Sequence, residues 1–365
     1  MLETTEKVPD GFLSDFLEQE KVRIFLWRAY KTGRIASAYL FSGPAGIGKF
    51  IAAYQWVKFL KCPTKSDGKP CGKCKSCTTM DSWTNPDVLI IFPMPKSVWD
   101  GETRREAYAE FRLNPFMRPR FDRKPSIILD MIYEIQQFLQ TPATSHGGKF
   151  VIITDAELMN IPAANSFLKT LEEPPSGSYI IMTSQRPEAL LPTIRSRTQE
   201  IKFRRLSERD ILKKLEDRFD VPHELAAEVS RLADGSIANA LRYLTPEFEA
   251  LRRQALKIIE AACERNYEAI WSWADEAPAK TDYAEQICLA LITILRDMLA
   301  SIIGDEVSVM NSSEEELIKN LAKSCGDIKR IERTLAGVTT HYENLLRNPQ
   351  YRLFYGSLAA TLLGI

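Results

Sequence analysis

Four cysteines lie close together in the chain, with the spacing C-x8-C-x2-C-x2-C. They are Cys62, Cys71, Cys74 and Cys77. Turns of the C-x-x-C type place thiolates on one side of a knuckle, where four of them bind Zn²⁺ tetrahedrally. Nearby lysines would offset the thiolate charge, namely Lys61, Lys65, Lys69, Lys73 and Lys75. Because sulfur fills every ligand position, the pattern predicts a structural zinc site and not a catalytic one.

A glycine-rich loop, GPAGIGK at residues 43–49, has the G-x-x-x-x-G-K spacing of a phosphate-binding loop. In such loops backbone N–H groups cradle phosphate oxygens and the lysine reaches the outer phosphates. The nucleotide site is therefore predicted at Gly43, Gly46, Gly48 and Lys49. The next residue, Phe50, stands where a working loop has the Ser or Thr that binds Mg²⁺. A glycine-rich turn with a solvated lysine is the alternative interpretation.

An acidic residue, Asp155, follows the apolar run at 150–154, where a P-loop enzyme holds its metal. The residue after it is Ala156, so the carboxylate that would polarise water is missing. Glu157 lies one position further and, on a helix, points about 100° away, which makes it a poor substitute. A helix cap is the other role open to Asp155.

Arg197 follows the fourth predicted strand, within a basic stretch at 195–214. An arginine in this place can stabilise phosphate charge on a neighbouring subunit, while the other cations could follow a nucleic-acid backbone or form a solvated helix face. A second basic group is interleaved with phenylalanines and suits either DNA or a surface loop. It comprises Arg112, Arg118, Arg120, Arg123 and Lys124, with Phe111, Phe116 and Phe121.

The composition is that of a soluble globular protein. The chain has 365 residues, 45% of them hydrophobic and 26% charged, a length typical of about two to three domains. The 48 basic side chains balance the 48 acidic ones, which excludes an overall field that attracts nucleic acid or membranes. The most apolar stretch, 287–303, contains Arg296 and Asp297 and is predicted to be a core helix.

The polar N-terminal segment MLETTEKVPDGF has no apolar signal region, so we expect an intracellular, cytoplasmic chain. Thiols stay reduced in that compartment. The three remaining cysteines, Cys263, Cys288 and Cys325, lie in segments of helical spacing. They are predicted to be ordinary buried apolar residues.

Strands and helices alternate in the first part of the chain. Apolar runs predict strands at 38–42, 87–92, 150–154 and 179–183, an irregular surface insertion at 93–125, and only helices after Phe203. Such alternation indicates a parallel sheet covered on both faces. The predicted domains are an α/β sheet domain at 1–203 with the cysteine module at 62–77, a small helical unit at 204–245, and an all-α domain at 246–365.

The chain resembles the AAA+ clamp loader subunits of bacterial DNA polymerase III, the gamma and delta-prime group. The residues that carry the resemblance are the loop segment GRIASAYLFSGPAGIGK at 33–49, the cysteine quartet, the string LKTLEEPP at 168–175 with SRT downstream, and DGSIANAL at 234–241. The resemblance implies a RecA-like AAA+ domain with an inserted zinc module, a helical lid and a helical collar.

The resemblance also implies roles for single residues. Asp155 matches the first Walker B acid, Ser184 or Thr183 the sensor-1 position, and Arg197 the arginine finger. Three residues depart from the active pattern, since Phe50 replaces the Mg²⁺ ligand, Ala156 replaces the catalytic Glu, and Ala238 replaces the sensor-2 arginine. Loss of all three with the finger retained is similar to the delta-prime type, which does not hydrolyse ATP itself.

A delta-prime type subunit would join gamma or tau-like ATPases and a delta-like subunit in a five-membered ring that loads the sliding clamp on primed DNA. Two alternatives remain. One is an active gamma-type ATPase that uses Lys49 and Asp155 with Glu157 as base. The other is a zinc-containing DNA-binding adaptor on an inactive P-loop scaffold. The sequence leaves open whether ATP or ADP still binds, and it predicts no contact with a membrane.

Overall fold

The computed structural model describes residues 8–13, 19–119, 121, 123–303, 314–325, 327–345 and 350–365. The chain divides into two compact units. The first comprises residues 1–207 and 235–238, and the second comprises residues 208–234 and 239–365. The predicted division into three domains, with boundaries after residues 203 and 245, stays a prediction.

The first unit is built on a parallel sheet. In the described part of the chain its strands are β1 (Ala38–Ser42), β2 (Val88–Ile91), β3 (Lys149–Ile153), β4 (Ser178–Ser184) and β5 (Gln199–Lys202). Their order across the sheet is β2-β3-β4-β1-β5, and every neighbouring pair is parallel. Every residue of β1 and β3 is buried, as expected of a parallel sheet that is covered on both faces.

Helices connect these strands. They are α1 (Glu20–Lys31), α2 (Lys49–Lys61), α3 (Lys75–Asp81), α4 (Lys96–Trp99), α5 (Arg104–Leu113), α6 (Leu129–Gln140), α7 (Ile161–Glu172) and α8 (Pro192–Arg195). Local sequence explains the bounds of α7. The Asn160 side chain accepts the N–H of Ala163 and caps the helix, and Pro162 suits its first turn. The helix ends before the prolines at 174 and 175.

The four predicted strands are confirmed to within about one residue of their ends. In the described residues no strand follows Phe203, as predicted, but β5, which ends at Lys202, is a further strand that the sequence did not predict. This strand is four residues long and only Ile201 in it is buried, so it lacks the apolar run that identified the others. It lies at the edge of the sheet, where short polar strands are common.

The insertion at 93–125 is more ordered than predicted. It contains α4 and α5, and its two ends are joined by reciprocal backbone hydrogen bonds between Met94 and Ser126, each 3.3 Å long. The sequence suggested an irregular segment because its prolines interrupt any helical period. Long-range pairing at the base of the insertion supplies order that this local pattern does not reveal.

The second unit is helical. Its described helices are α9 (Glu208–Phe219), α10 (His223–Leu232), α11 (Ile237–Tyr243, which begins in the first unit), α12 (Pro246–Cys263), α13 (Tyr267–Glu276), α14 (Thr281–Ile303), α15 (Glu315–Cys325), α16 (Ile328–Asn344) and α17 (Tyr351–Leu362). Helix α14 packs against α12, α15 and α16 and supplies much of the core.

Helix α14 is long and apolar enough to cross a membrane by length and composition alone. Its most apolar window is 67% buried inside the protein, and Asp297 within the helix is buried as well. These are properties of a core helix, as the sequence predicted for 287–303.

A disulfide joins Cys263 at the end of α12 to Cys325 at the end of α15, with their Cα atoms 5.4 Å apart. The prediction that both are ordinary buried thiols is therefore wrong. The two residues are 62 positions apart, and only the packing of the two helices brings them together. Cys288 is buried as a free thiol, as predicted.

A buried ion pair holds the first unit together at the ends of α2 and β2. The Nζ of Lys61 lies 2.8 Å from Oδ2 of Asp87, and both side chains are 0% exposed. The Asp87 carboxylate also accepts the backbone N–H and the hydroxyl of Thr144 and of Ser145. Lys61 donates a further hydrogen bond to the Gly148 carbonyl at 2.9 Å. The pair thus fastens the loop before β3.

Burial and hydrogen bonding act in opposite directions on the pKa values of this pair. Burial raises the pKa of Asp87, but the hydrogen bonds from Lys61 and Ser145 outweigh it, and the pKa lies well below its usual range. Burial also lowers the pKa of Lys61, and the hydrogen bond with Asp87 opposes that shift. The charged pair is maintained because Asp87 has enough donors to replace the lost water.

We expect Asp87→Ala to lower the free energy of unfolding by about 3–5 kcal/mol, because it leaves Lys61 buried without its counter-charge. Denaturant unfolding followed by circular dichroism measures this loss. The pKa of Asp87 is lower in the folded chain than its unfolded value of about 3.9. Its stabilising contribution is therefore present above about pH 4 and declines as the pH falls below that value.

Asp81→Ala is the matched control. Asp81 pairs with Lys58 near the same helix, but its side chain is 56% exposed, and an exposed pair contributes only about 0–1 kcal/mol. Equal losses in the two variants would contradict the structural role assigned to Asp87.

Candidate functional site

The glycine-rich loop connects the end of β1 to the start of α2, as the motif requires. Gly43 and Gly46 have φ values of 145° and 69°. A Cβ at Gly43 would lie 2.5 Å from the Phe203 carbonyl oxygen, and one at Gly46 would collide with Ser236 and Ala238. Close packing and positive φ therefore both require glycine at these positions.

Lys49 is the first residue of α2 and is buried beneath the loop. Its Nζ donates to the carbonyl oxygens of Gly43, at 2.7 Å, and Pro44. Burial lowers its pKa to about 8, although the carboxylates of Asp155 and Glu157 oppose the shift. The lysine is thus placed where a P-loop lysine must be, with its ammonium held by the loop itself.

The predicted acidic and sensor residues lie together at the carboxyl ends of β3 and β4. Asp155 follows β3 in a left-handed conformation, with φ at 49°, and its N–H donates to Oγ1 of Thr183 at 3.2 Å. Ser184 ends β4, is fully buried, and accepts the N–H of Gly43 at 3.1 Å through its carbonyl. The sheet therefore brings Gly43, Lys49, Asp155 and Ser184 to one edge.

Glu157 also lies at this edge, in a short 3₁₀ helix at 156–158. One of its carboxylate oxygens accepts the backbone N–H of Gln185 at 3.1 Å. Burial, and then the nearby charge of Asp155, raise the pKa of Glu157. Ala156, which occupies the position of the missing carboxylate, is fully buried. Glu157 is thus bound to the end of β4 and does not occupy the position that Ala156 leaves without a carboxylate.

Phe50, the residue in place of the Mg²⁺ ligand, packs into an aromatic cluster that we define as Phe50, Tyr54, Trp83 and Phe111. Its ring centroid lies 4.7 Å from that of Phe111, 5.5 Å from Trp83 and 6.0 Å from Tyr54. Phe111 belongs to α5 of the insertion. The substitution therefore joins the P-loop helix to the insertion by apolar packing.

The insertion also reaches the acidic residue of the site. Arg118 forms an ion pair with Asp155, and a ring carbon of Phe116 lies 3.9 Å from where Gly48 would carry a Cβ. These contacts involve members of the basic patch with interleaved phenylalanines that was predicted to suit DNA or a surface loop. Phe111 is buried and Arg118 is paired, while Arg120 lies outside the described residues. DNA binding by the patch stays a prediction that rests on its remaining members.

Ala238 lies against the P-loop. Its backbone N–H donates to the Gly46 carbonyl at 3.1 Å, and its side chain is buried. The residue that matches the sensor-2 position therefore does reach the loop, but it carries no cation for a phosphate.

Arg197 lies just beyond α8, with its side chain 35% exposed. Its guanidinium is 2.6 Å from a carboxylate oxygen of Glu172, at the end of α7, and donates to the Thr193 carbonyl at 3.0 Å. A partly exposed ion pair of this kind contributes about 0–1 kcal/mol. Glu172 therefore orients the guanidinium without holding it strongly.

The four predicted metal ligands meet in space. The sulfur atoms of Cys62, Cys71, Cys74 and Cys77 all lie within 4.8 Å of one another. The Cys71–Cys77 and Cys62–Cys74 sulfur distances are both 4.0 Å. Tetrahedral Zn–S bonds of about 2.3 Å imply sulfur separations of about 3.8 Å, so the cluster fits a four-coordinate metal ion.

Backbone N–H groups point at three of these sulfurs, which favours thiolates. Cys71 donates to Cys62, Cys74 to Cys71, and Cys77 to Cys74, at 3.3–3.4 Å. Hydrogen bonds, of which that with Thr64 is the largest cause, lower the pKa of Cys71 to about 5, whereas burial raises that of Cys77. These donors are typical of a knuckle that holds anionic sulfur.

The lysines near the cluster differ in position. Lys65 lies near the sulfurs of Cys62, Cys74 and Cys77 and donates to the Cys62 carbonyl. Lys61 is turned away and neutralises Asp87 instead. The expectation that Lys61 offsets thiolate charge is therefore wrong, because Lys61 forms a buried ion pair with the Asp87 carboxylate instead.

Sequence reasoning missed the partners of two site residues. The sequence places Arg118 in a basic patch that suits DNA or a surface loop, and it does not indicate Glu172 as a partner of Arg197. No local pattern marks either one, since Arg118 is 37 positions from Asp155, and Glu172 belongs to a different helix from the residues around Arg197. Phe50 is the residue that could have indicated a contact with the insertion, because an aromatic side chain at the start of α2 needs apolar neighbours.

Comparison with known proteins shows which family the chain is similar to. Residues 18–207, more than half of the chain, match the model of the family described as DNA polymerase III, delta subunit. The DNA polymerase III subunit delta' of Pseudomonas aeruginosa is 35% identical over 162 residues, which are 44% of this chain and 41% of that protein. The chain thus spans about two fifths of that relative.

The subunit delta' of Bacillus subtilis is 28% identical over 310 residues, 83% of this chain and 84% of that protein. Among solved structures, a DNA polymerase III gamma subunit-related protein from Thermotoga maritima aligns with a TM-score of 0.42 and 17% identity, over 93% of this chain and 98% of that one. That structural likeness is too low to add to the family assignment.

We expect Phe50→Ala to cost about 3–5 kcal/mol in the free energy of unfolding, because it removes a buried ring from the aromatic cluster. Phe25→Ala serves as the comparison, since Phe25 is 38% exposed on α1 and its truncation should cost about 1 kcal/mol. Thermal and denaturant unfolding of both variants measure the difference. A Phe50 variant as stable as the wild type would show that the cluster does not hold α2 to the insertion.

Proposed function

Because the chain belongs to the delta-prime type of DNA polymerase III clamp loader subunits, we propose that it helps load the sliding clamp on primed DNA without hydrolysing ATP itself. Its partners are other clamp loader subunits, gamma or tau-like ATPases and a delta-like subunit, in a five-membered ring in the cytoplasm. Its own contribution to catalysis is Arg197, which acts on ATP bound by a neighbouring subunit.

The observation that carries this proposal is the state of the nucleotide site. Phe50 is buried among aromatic rings and offers no metal ligand. Ala156 and Ala238 supply neither a base nor a cation. The loop, Lys49 and Asp155 keep their positions on the sheet, so the scaffold of an ATPase is retained while three of its chemical groups are missing.

The exposure of Arg197 supports a role in trans. Its guanidinium is partly exposed and is held by the partly exposed carboxylate of Glu172 and by the Thr193 carbonyl. A nucleotide phosphate is a better partner than a solvated carboxylate, because it carries more negative charge and more acceptor oxygens. The arginine can therefore exchange Glu172 for the phosphate of a neighbour at little cost.

We also propose that the cysteine cluster binds Zn²⁺ in a structural role. The sulfur spacing fits tetrahedral coordination, and soft thiolate ligands favour zinc over oxygen-preferring metals. The ion would join α3 to the end of α2 and leave no coordination position for a substrate.

Arg197→Ala should abolish most ATP turnover at the adjoining site of the reconstituted clamp loader. Removing an arginine finger lowers the rate by about 10³–10⁵-fold in P-loop systems, because transition-state charge is left without its partner. ATP hydrolysis by the complex with clamp and primed DNA measures the effect. Arg195→Ala is the control, since Arg195 is an exposed arginine two positions away.

Normal ATP turnover in the Arg197→Ala complex would contradict the role in trans. The chain alone should hydrolyse no ATP, with or without primed DNA. Turnover by the isolated chain that Lys49→Ala removes would instead establish an active gamma-type ATPase.

The purified chain should contain one zinc ion, and Cys71→Ser should lose it and unfold at a lower temperature, since a structural metal contributes folding free energy directly. Metal analysis by mass spectrometry and a thermal melt measure both effects. Cys288→Ser is the matched control, because Cys288 is a free cysteine outside the cluster. Full zinc content in the Cys71 variant would disprove the assignment.

A further inference from the structure

The insertion at 93–125 is fastened to the first unit at several points away from the nucleotide site. Nη2 of Arg104 donates to both carboxylate oxygens of Glu134 in α6, and both distances are 2.8 Å. Its guanidinium also stacks on Trp99, 3.5 Å from the ring centroid. The Tyr108 hydroxyl donates to the Ile90 carbonyl of β2 at 2.7 Å. The insertion is therefore a fixed part of this unit.

From this anchor the chain continues over the P-loop. Phe111 packs on Phe50, the ring of Phe116 lies beside Gly48, and Arg118 reaches Asp155. The first contact is with the residue in place of the Mg²⁺ ligand, and the second is with the loop that would hold phosphates. The third is with the acid that would orient the metal. One segment of eight residues, 111–118, makes all of them.

Two basic and two acidic side chains lie together at this edge of the sheet. Lys49 and Arg118 are cationic, and Asp155 and Glu157 are the carboxylates that interact with them. In a working P-loop site bound Mg²⁺ supplies positive charge beside the acidic residue, and the nucleotide brings its own negative charge. Here the guanidinium already supplies that positive charge.

We propose that Arg118 is the resident cation of this site and takes the place of magnesium on Asp155, with the insertion covering the P-loop. The aromatic contacts position the arginine, and the ion pair satisfies a carboxylate that is largely buried. A magnesium nucleotide would have to displace Phe116 and Arg118 together. The insertion thus occupies the space and the carboxylate that a magnesium nucleotide would use.

The test compares hydrogen exchange of the P-loop segment 43–60 in the full zinc-containing chain and in Arg118→Gln. The variant should exchange at least about tenfold faster, because Asp155 loses its partner and the cover loosens. Millimolar Mg²⁺ should slow this exchange again in the variant and leave the wild type unchanged. Arg123→Gln removes an exposed arginine from the same insertion and should behave as the wild type.

Two further proteins keep the test decisive. The double variant Arg118→Gln with Asp155→Asn has neither charge, so it should no longer respond to Mg²⁺. The wild type itself should show no change with MgADP. Protection of the wild-type P-loop by Mg²⁺ or MgADP overturns the proposal even if the single variant fails to fold.

The proposal also fails if Arg118→Gln and Arg123→Gln exchange alike. It goes beyond the proposed function and does not depend on Arg197 or on the assembled complex. The experiment uses the isolated chain, so a failure of the arginine finger in the complex leaves this result unaffected, and the reverse also holds.

Discussion

The carboxyl ends of parallel strands meet at one edge of a sheet, and the rest of the first unit depends on that constraint. Ser42 at the end of β1 pairs in register with Ser184 of β4, and Ile153 of β3 pairs with Met182. The P-loop follows β1 directly, and Asp155 follows β3 after one residue. Their positions are therefore set by backbone hydrogen bonds and apolar burial, which survive when the catalytic side chains are lost.

This separation of scaffold from chemistry explains how the site keeps its shape without a hydroxyl at Phe50 or a carboxylate at Ala156. Burial of Phe50 adds to the packing between α2 and the insertion, whereas a hydroxyl there would serve only a bound metal. Asp155 is largely buried and needs a cation whether or not a nucleotide is present. Arg118 meets that need from within the chain. Both features therefore stabilise this part of the unit through contacts within the chain.

Helix α2 connects this edge to the rest of the unit. Lys49 is its first residue and Lys61 its last, and Cys62 of the cysteine cluster follows at once. The buried Lys61–Asp87 pair and the cluster hold one end of the helix, and the P-loop and aromatic cluster hold the other. Arg197 differs from all of these, because a weak surface pair leaves it accessible to a partner.

The sequence by itself determined the elements and residues whose signals are local: four buried strands, the glycine-rich loop, the cysteine quartet, and the residue types at Phe50, Ala156 and Ala238. It could do so because hydrophobic period and fixed spacing act over a few residues. The tertiary structure decided β5, the Cys263–Cys325 disulfide, the use of Lys61 by Asp87, and the reach of Arg118 to Asp155. Apart from β5, a short polar edge strand with little apolar period, these features join residues that are distant in sequence. Which cation meets which carboxylate depends on how whole elements pack, and no local spacing encodes that choice.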